Sequence, residues 1–180
     1  SSPHHFIRLI IEQILLATHM TALPNEESSE QTEIRALIDD LAEGIRAKDV
    51  NGVMSFYADE KVQFLLAPPL KYSGANAIKG EDLKDWFSSF QGPIGYKIRD
   101  LEVSTGSQIA FGHSLNRMSG TKIDGARTDL WFRWTVCFRK IGGKWKITHE
   151  HESVPFYMDG SDKAALDLEP SSRPRSCSKI

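Results

Sequence analysis

The sequence predicts an α+β fold, with helices lying on one face of a largely antiparallel sheet. Three observations predict it. Residues 32–48 place apolar side chains at Ile34, Leu37, Ile38, Leu41, Ala42 and Ile45, the spacing of a helix with one buried face. From Tyr96 onward the apolar period falls to two, through four segments joined by short turns. The helical segments come first in the chain and the strand segments last.

The elements follow in order. Gln31 or Thr32 caps the first helix. Asp49 opens a second, short one, with Val50, Val53, Met54 and Tyr57 on one side and Asp59-Glu60 at its end. Residues 62–66 read as a short strand stopped by Pro68-Pro69, and residues 70–73 as another before Gly74. A third helix covers residues 80–90, with Leu83, Trp86, Phe87 and Phe90 inward, and Gln91-Gly92-Pro93 stops it. Strands are expected at 96–103, 108–120, 127–140 and 145–154, with a bulge near Arg99-Asp100 where the alternation slips.

At 180 residues the chain is long enough for one domain with a real core. A net charge of −2 leaves no basic footprint for nucleic acid. No apolar run reaches the roughly 20 residues of a membrane span. Two distant cysteines, Cys137 and Cys177, argue against a disulfide framework and fit a reducing, cytoplasmic setting. Residues 1–20 read as a vector-derived segment or an N-terminal extension, 21–31 as a linker, 32–158 as the domain and 159–180 as a tail.

The richest stretch is Trp145-Lys146-Ile147-Thr148-His149-Glu150-His151-Glu152-Ser153-Val154-Pro155-Phe156, after the hairpin signal Ile141-Gly142-Gly143-Lys144. Strict alternation puts Trp145, Ile147, His149, His151 and Ser153 on one face, and Glu150, Glu152 and Lys146 on a solvated or interface face. That ending, together with the helix–helix–strand opening and the late meander, resembles SnoaL-like proteins of the nuclear transport factor 2-like superfamily, which also contains ketosteroid isomerase. The ending is also similar to the association domain of calcium/calmodulin-dependent kinase II. The resemblance implies a cone-shaped fold, a curved sheet wrapped around a long N-terminal helix with two further short helices, and a pocket between them. It also implies frequent dimers, and activities that range from metal-free isomerases, cyclases and dehydratases to modules that only bind or assemble.

Parity across the strands gives one constellation. His149, His151 and Arg133 are the candidate catalytic residues, with Tyr57, Phe64, Trp86, Phe90, His113, Asp129, Trp131 and Thr135 as pocket lining. A tight Gly142-Gly143 loop would pair Trp134 with His151, and a bulged one would pair Arg133 with His151 and Thr135 with His149. Imidazole titrates near neutrality and suits proton transfer. A hydrogen-bonded core pair and a metal-ligating His-x-His are the competing readings. Arg133 either holds a ligand oxyanion or pairs with Asp129 or Glu150. Asp129 fits a pairing role at least as well as a catalytic one, and the aromatic residues fit plain core as well as pocket lining. The expected function is binding of a small apolar or aromatic molecule, with isomerisation, dehydration or cyclisation by a pocket histidine and no cofactor or metal. The alternative is a non-catalytic ligand-binding or oligomerisation module. A homodimer built partly on the sheet is expected, because neither face of the 127–140 strand is fully polar.

Overall fold

A polar cap starts the described fold. The computed structural model describes residues 28–171, so the expected 1–20 segment, most of the linker and the end of the tail lie outside the described residues. Ser28 Oγ accepts from the Gln31 amide (3.2 Å) and Gln31 Oε1 accepts from the Ser28 amide (2.9 Å). This reciprocal box starts helix α1 (Ser29–Ala47) three residues before the periodicity predicts. Lys48, left-handed at φ 55°, ends it, and Asp49 caps the short helix α2 (Val50–Ser55) through the Gly52 amide.

The chain continues as β1 (Tyr57–Phe64), β2 (Tyr72–Ser73), α3 (Gly80–Ser88), β3 (Phe90–Thr105), β4 (Ile109–Lys122), β5 (Arg127–Ile141) and β6 (Lys144–Ser153). The six strands form one sheet in the order β2-β1-β6-β5-β4-β3. All neighbours are antiparallel except β1 and β6. The α+β architecture with a curved sheet around an N-terminal helix is therefore observed. Tyr57, expected at the end of a helix, instead opens β1. The sequence-stretch Gln91-Gly92-Pro93, expected to be a stop, is instead part of β3, where the pairing with β4 slips between Gln91 and Gly95. The anticipated bulge near Arg99-Asp100 is present, with Asp100 at φ 55° and a register shift before Glu102. Irregularities of this kind increase local twist and bend the sheet.

Helix α1 lies along β3. Ile34, Ile38, Leu41 and Ala42 are buried, and four side chains donate to β3 carbonyls: Gln31 to Val103 (3.0 Å), Arg35 to Leu101 (3.2 Å), Arg46 to Tyr96 (3.0 Å) and Lys48 to Phe90 (2.9 Å). Each satisfied carbonyl fixes the helix at a different height on the strand. The inner face of the sheet supplies the rest of the core through Phe132, Trp134, Val136, Phe138, Trp145 and Ile147. Among the described residues no helix is long and apolar enough to cross a membrane.

Candidate functional site: an acidic cavity

The hairpin between β5 and β6 decides which side chains face inward. Ile141 pairs with Lys144, so the loop is the tight two-residue Gly142-Gly143, both at positive φ (57° and 78°), which a side chain would disfavour. Phe138 pairs with Ile147 but Cys137 pairs with His149, so Thr148 is an extra residue on β6. A one-residue insertion exchanges the faces of everything after it. Trp145 and Ile147 point inward as expected, and beyond the bulge Glu150 and Glu152 do so in place of the histidines. Thr135 pairs with His151 and Arg133 with Ser153, neither of the expected registers.

Residues from α1, α2, α3, β1 and the inner sheet enclose a cavity of about 480 Å³. Its wall is mostly apolar, with Leu41, Ile45, Val53, Trp86, Met118 and Phe132 prominent. Its polar residues include Tyr57, Lys61, Gln63, Tyr96, Glu150 and Glu152. A volume of that size lies within the ordinary range for small-molecule sites.

Glu150 is buried and fully engaged. Its Oε1 accepts from Tyr57 OH (3.0 Å) and Gln63 Nε2 (2.7 Å), and its Oε2 from Trp134 Nε1 (3.0 Å). Three donors from β1 and β5 replace the water that the carboxyl loses. Burial and the Glu150 charge push the Tyr57 hydroxyl well above its usual value, so it stays protonated and donates. Glu152 accepts from the Leu66 amide (3.2 Å). Burial first, and the Glu150 charge second, push its carboxyl up to about 8. Tyr96 accepts from Asn116 Nδ2 (2.9 Å), and Asn116 accepts from Ser114 (2.7 Å). This chain leaves the Tyr96 hydroxyl proton directed elsewhere. Burial is the main cause that raises its pKa, so the group stays neutral. The Lys61 ammonium is shifted down, chiefly by burial.

The sequence-derived candidates divide between two places. Tyr57 and Trp86 line the cavity. Phe90 is core, edge-on to Trp86 at 5.4 Å. The remaining candidates lie away from the cavity, on the other face of the sheet. His149 Nδ1 meets Val62 O at 2.7 Å, and Phe64 stands edge-on to His149 (5.0 Å) and His151 (5.6 Å). His151, Arg133, Thr135 and His113 are exposed, His113 standing 3.7 Å from Glu102. Asp129 is held by Arg117 in a two-pronged pair at 2.7 Å, and Trp131 stands opposite Arg117 in the ladder. Among the described residues, no group of three His, Cys, Asp or Glu side chains is arranged to hold a metal. Sequence reasoning missed Glu150 and Glu152 because it read β6 with unbroken alternation. The available signal was Thr148-His149, two consecutive polar residues after a strictly alternating start.

A SnoaL-like domain model matches residues 34–157. The chain therefore belongs to the SnoaL-like family, as its final strand and helical opening implied. Among solved structures it is similar to an NTF2-like protein of unknown function from Pseudomonas putida KT2440, with 32% identity, a TM-score of 0.69 and coverage of 79% of this chain and 97% of that one. A ketosteroid isomerase-like protein from Erwinia carotovora atroseptica shares 20% identity, with a TM-score of 0.56 over 70% of this chain and 96% of that one. The association domain of C. elegans CaMKII shares 15%, with a TM-score of 0.55 over 72% and 98%. These last two likenesses concern the fold. No curated protein matches the chain.

Proposed function

We propose that the cavity binds a small, mostly apolar carbonyl compound and that Glu152 moves a proton on it. The observation that carries this reading is a carboxyl on an apolar cavity wall beside a second carboxylate already occupied by three donors. Glu150 is too fully bonded to act as a base, whereas Glu152 accepts only one backbone hydrogen bond. A carboxyl raised to about 8 is a stronger base than an ordinary one and better matched to a carbon acid. In its ionised form Glu152 takes the proton beside the carbonyl and returns it, either to another carbon in an isomerisation or to a leaving hydroxyl in a dehydration. Tyr96 donates a hydrogen bond from its hydroxyl to the enolate oxygen and keeps its proton. Proton balance closes on one residue, so the cycle needs no second acid.

The test is a panel of β,γ-unsaturated and β-hydroxy ketones, followed by the ultraviolet absorbance of the conjugated enone that either reaction makes. We expect turnover of at least one, with kcat/KM rising through pH about 8 as Glu152 ionises. Glu152→Gln should lower kcat by about 10²–10⁴-fold. Turnover that survives Glu152→Gln unchanged would overturn the role of Glu152, and failure of the whole panel to bind or react would overturn the carbonyl reading.

The same reading includes a homodimer joined through the outer sheet face, where Ile109 and Phe111 are exposed. A contiguous exposed apolar surface is the kind that a second copy covers. A monomeric mass in sedimentation at micromolar concentration ends this part of the proposal.

A further inference from the structure

Two polar groups on the cavity wall keep hydrogen-bonding capacity that no described residue uses. Gln63 is 4% exposed and its Nε2 is committed to Glu150, which leaves its Oε1 as a buried acceptor without a donor among the described residues. Lys61, two residues earlier on the same face of β1, is 8% exposed and lines the cavity. Its Nζ makes no hydrogen bond among the described residues; it stands 5.8 Å from the Tyr57 ring and feels the Asp59 and Glu150 charges, so its donor positions remain open to a ligand. A buried acceptor without a donor is costly, and with an ammonium two residues away that keeps open donor positions it marks where a ligand's polar atoms go. The Gln63 amide cannot turn, because turning would place its oxygen against the Glu150 carboxylate.

We infer that the ligand carries, besides its carbonyl, a neutral hydroxyl that donates to Gln63 Oε1 and accepts from Lys61 Nζ. One O–H group serves both, since a hydroxyl is at once a donor and an acceptor. A carboxylate would satisfy Lys61 but not Gln63, because it has no proton to give. It would also bring a negative charge beside Glu150 and Glu152, with only the Lys61 cation to offset them. The substrate class is therefore a neutral hydroxy-ketone with a hydrophobic body against the Leu41, Val53 and Phe132 wall. This inference rests on the cavity being the ligand site, but not on any turnover.

Binding of tetralone, its ring-hydroxylated positional isomers and the matching carboxytetralones to the whole chain, measured by calorimetry, tests it. At least one hydroxytetralone should bind about tenfold or more tightly than tetralone, and the carboxytetralones should bind more weakly than that isomer. Lys61→Met and Gln63→Leu should each reduce the hydroxyl preference to within about threefold of none, while tetralone binds as well as before or better. Lys61→Met is the safer variant, because Lys61 makes no hydrogen bond among the described residues; circular dichroism and melting temperature confirm that each variant is folded. Equal affinity for hydroxylated and plain tetralone, a preference that persists in both folded variants, or no binding of any tetralone overturns the inference. A hydroxyl preference without enone chemistry upholds it and counts against the proton-transfer reading alone.

Discussion

The two faces of β6 between residues 149 and 152 are adjacent in sequence and opposite in physics. On the inner face, Glu150 is buried and holds three donors, and Glu152 lines an apolar cavity with its carboxyl raised to about 8. On the outer face, His149 and His151 stand edge-on to Phe64, and His151 is exposed. Residue type alone would assign the chemistry the other way round, since imidazole is the usual group for proton transfer near neutrality. Environment reverses the assignment. A carboxyl inside a dry wall beside another carboxylate is pushed into the neutral range, whereas the imidazoles face away from the cavity.

The contrast can be broken most severely at its origin. Deleting Thr148 removes the extra residue and would turn both glutamates outward, carrying His149 and His151 against the Trp134–Val136 wall. We expect loss of cooperative unfolding, measured by thermal circular dichroism. A deletion variant that melts like the parent would show that the bulge does not set the faces.

Next in size is Glu150→Ala. It strands the Tyr57, Gln63 and Trp134 donors in the interior, and should cost about 3–5 kcal/mol in urea unfolding. A loss below about 1 kcal/mol would mean that water reaches those donors. The milder Glu150→Gln sharpens the point, because removing the charge takes away one of the two causes that raise Glu152. The inflection in the pH profile should move to lower pH.

Smaller again is the pH dependence of stability. The Glu152 carboxyl is raised from 4.5 to about 8 in the folded chain. The folded state thus binds the proton more tightly than the unfolded one, and stability falls as pH rises between these values, at about 1.4 kcal/mol per pKa unit for full burial. Glu152→Gln, which cannot ionise, should gain stability relative to the parent across that window and stay level above it. Parallel pH profiles for parent and variant would contradict the raised value.

The smallest expected effect is on the outer face. The double variant His149→Ala, His151→Ala loses the His149–Val62 hydrogen bond and two ring contacts, about 1–2 kcal/mol together. Ligand affinity should be unchanged by calorimetry. A tenfold loss would return the histidines to the site.

Much of the molecule was legible in the chain. The period of 3.6 in residues 32–48, the change to two after Tyr96, and the Gly142-Gly143 turn determined the helix, the strands and the presence of a hairpin, though not whether its loop is tight, because each depends on side-chain spacing and local backbone freedom. Tyr57 and Trp86 line the cavity, Tyr57 from the start of β1 rather than from the helix expected there. The tertiary structure decided the rest. Thr148 bulges where β6 lies between β5 and β1, and its position sets which of two alternating sets faces inward. Burial then assigns the ionisation of Glu152, since a carboxyl's pKa depends on the charges and the water around it, and those neighbours come from strands distant in the sequence.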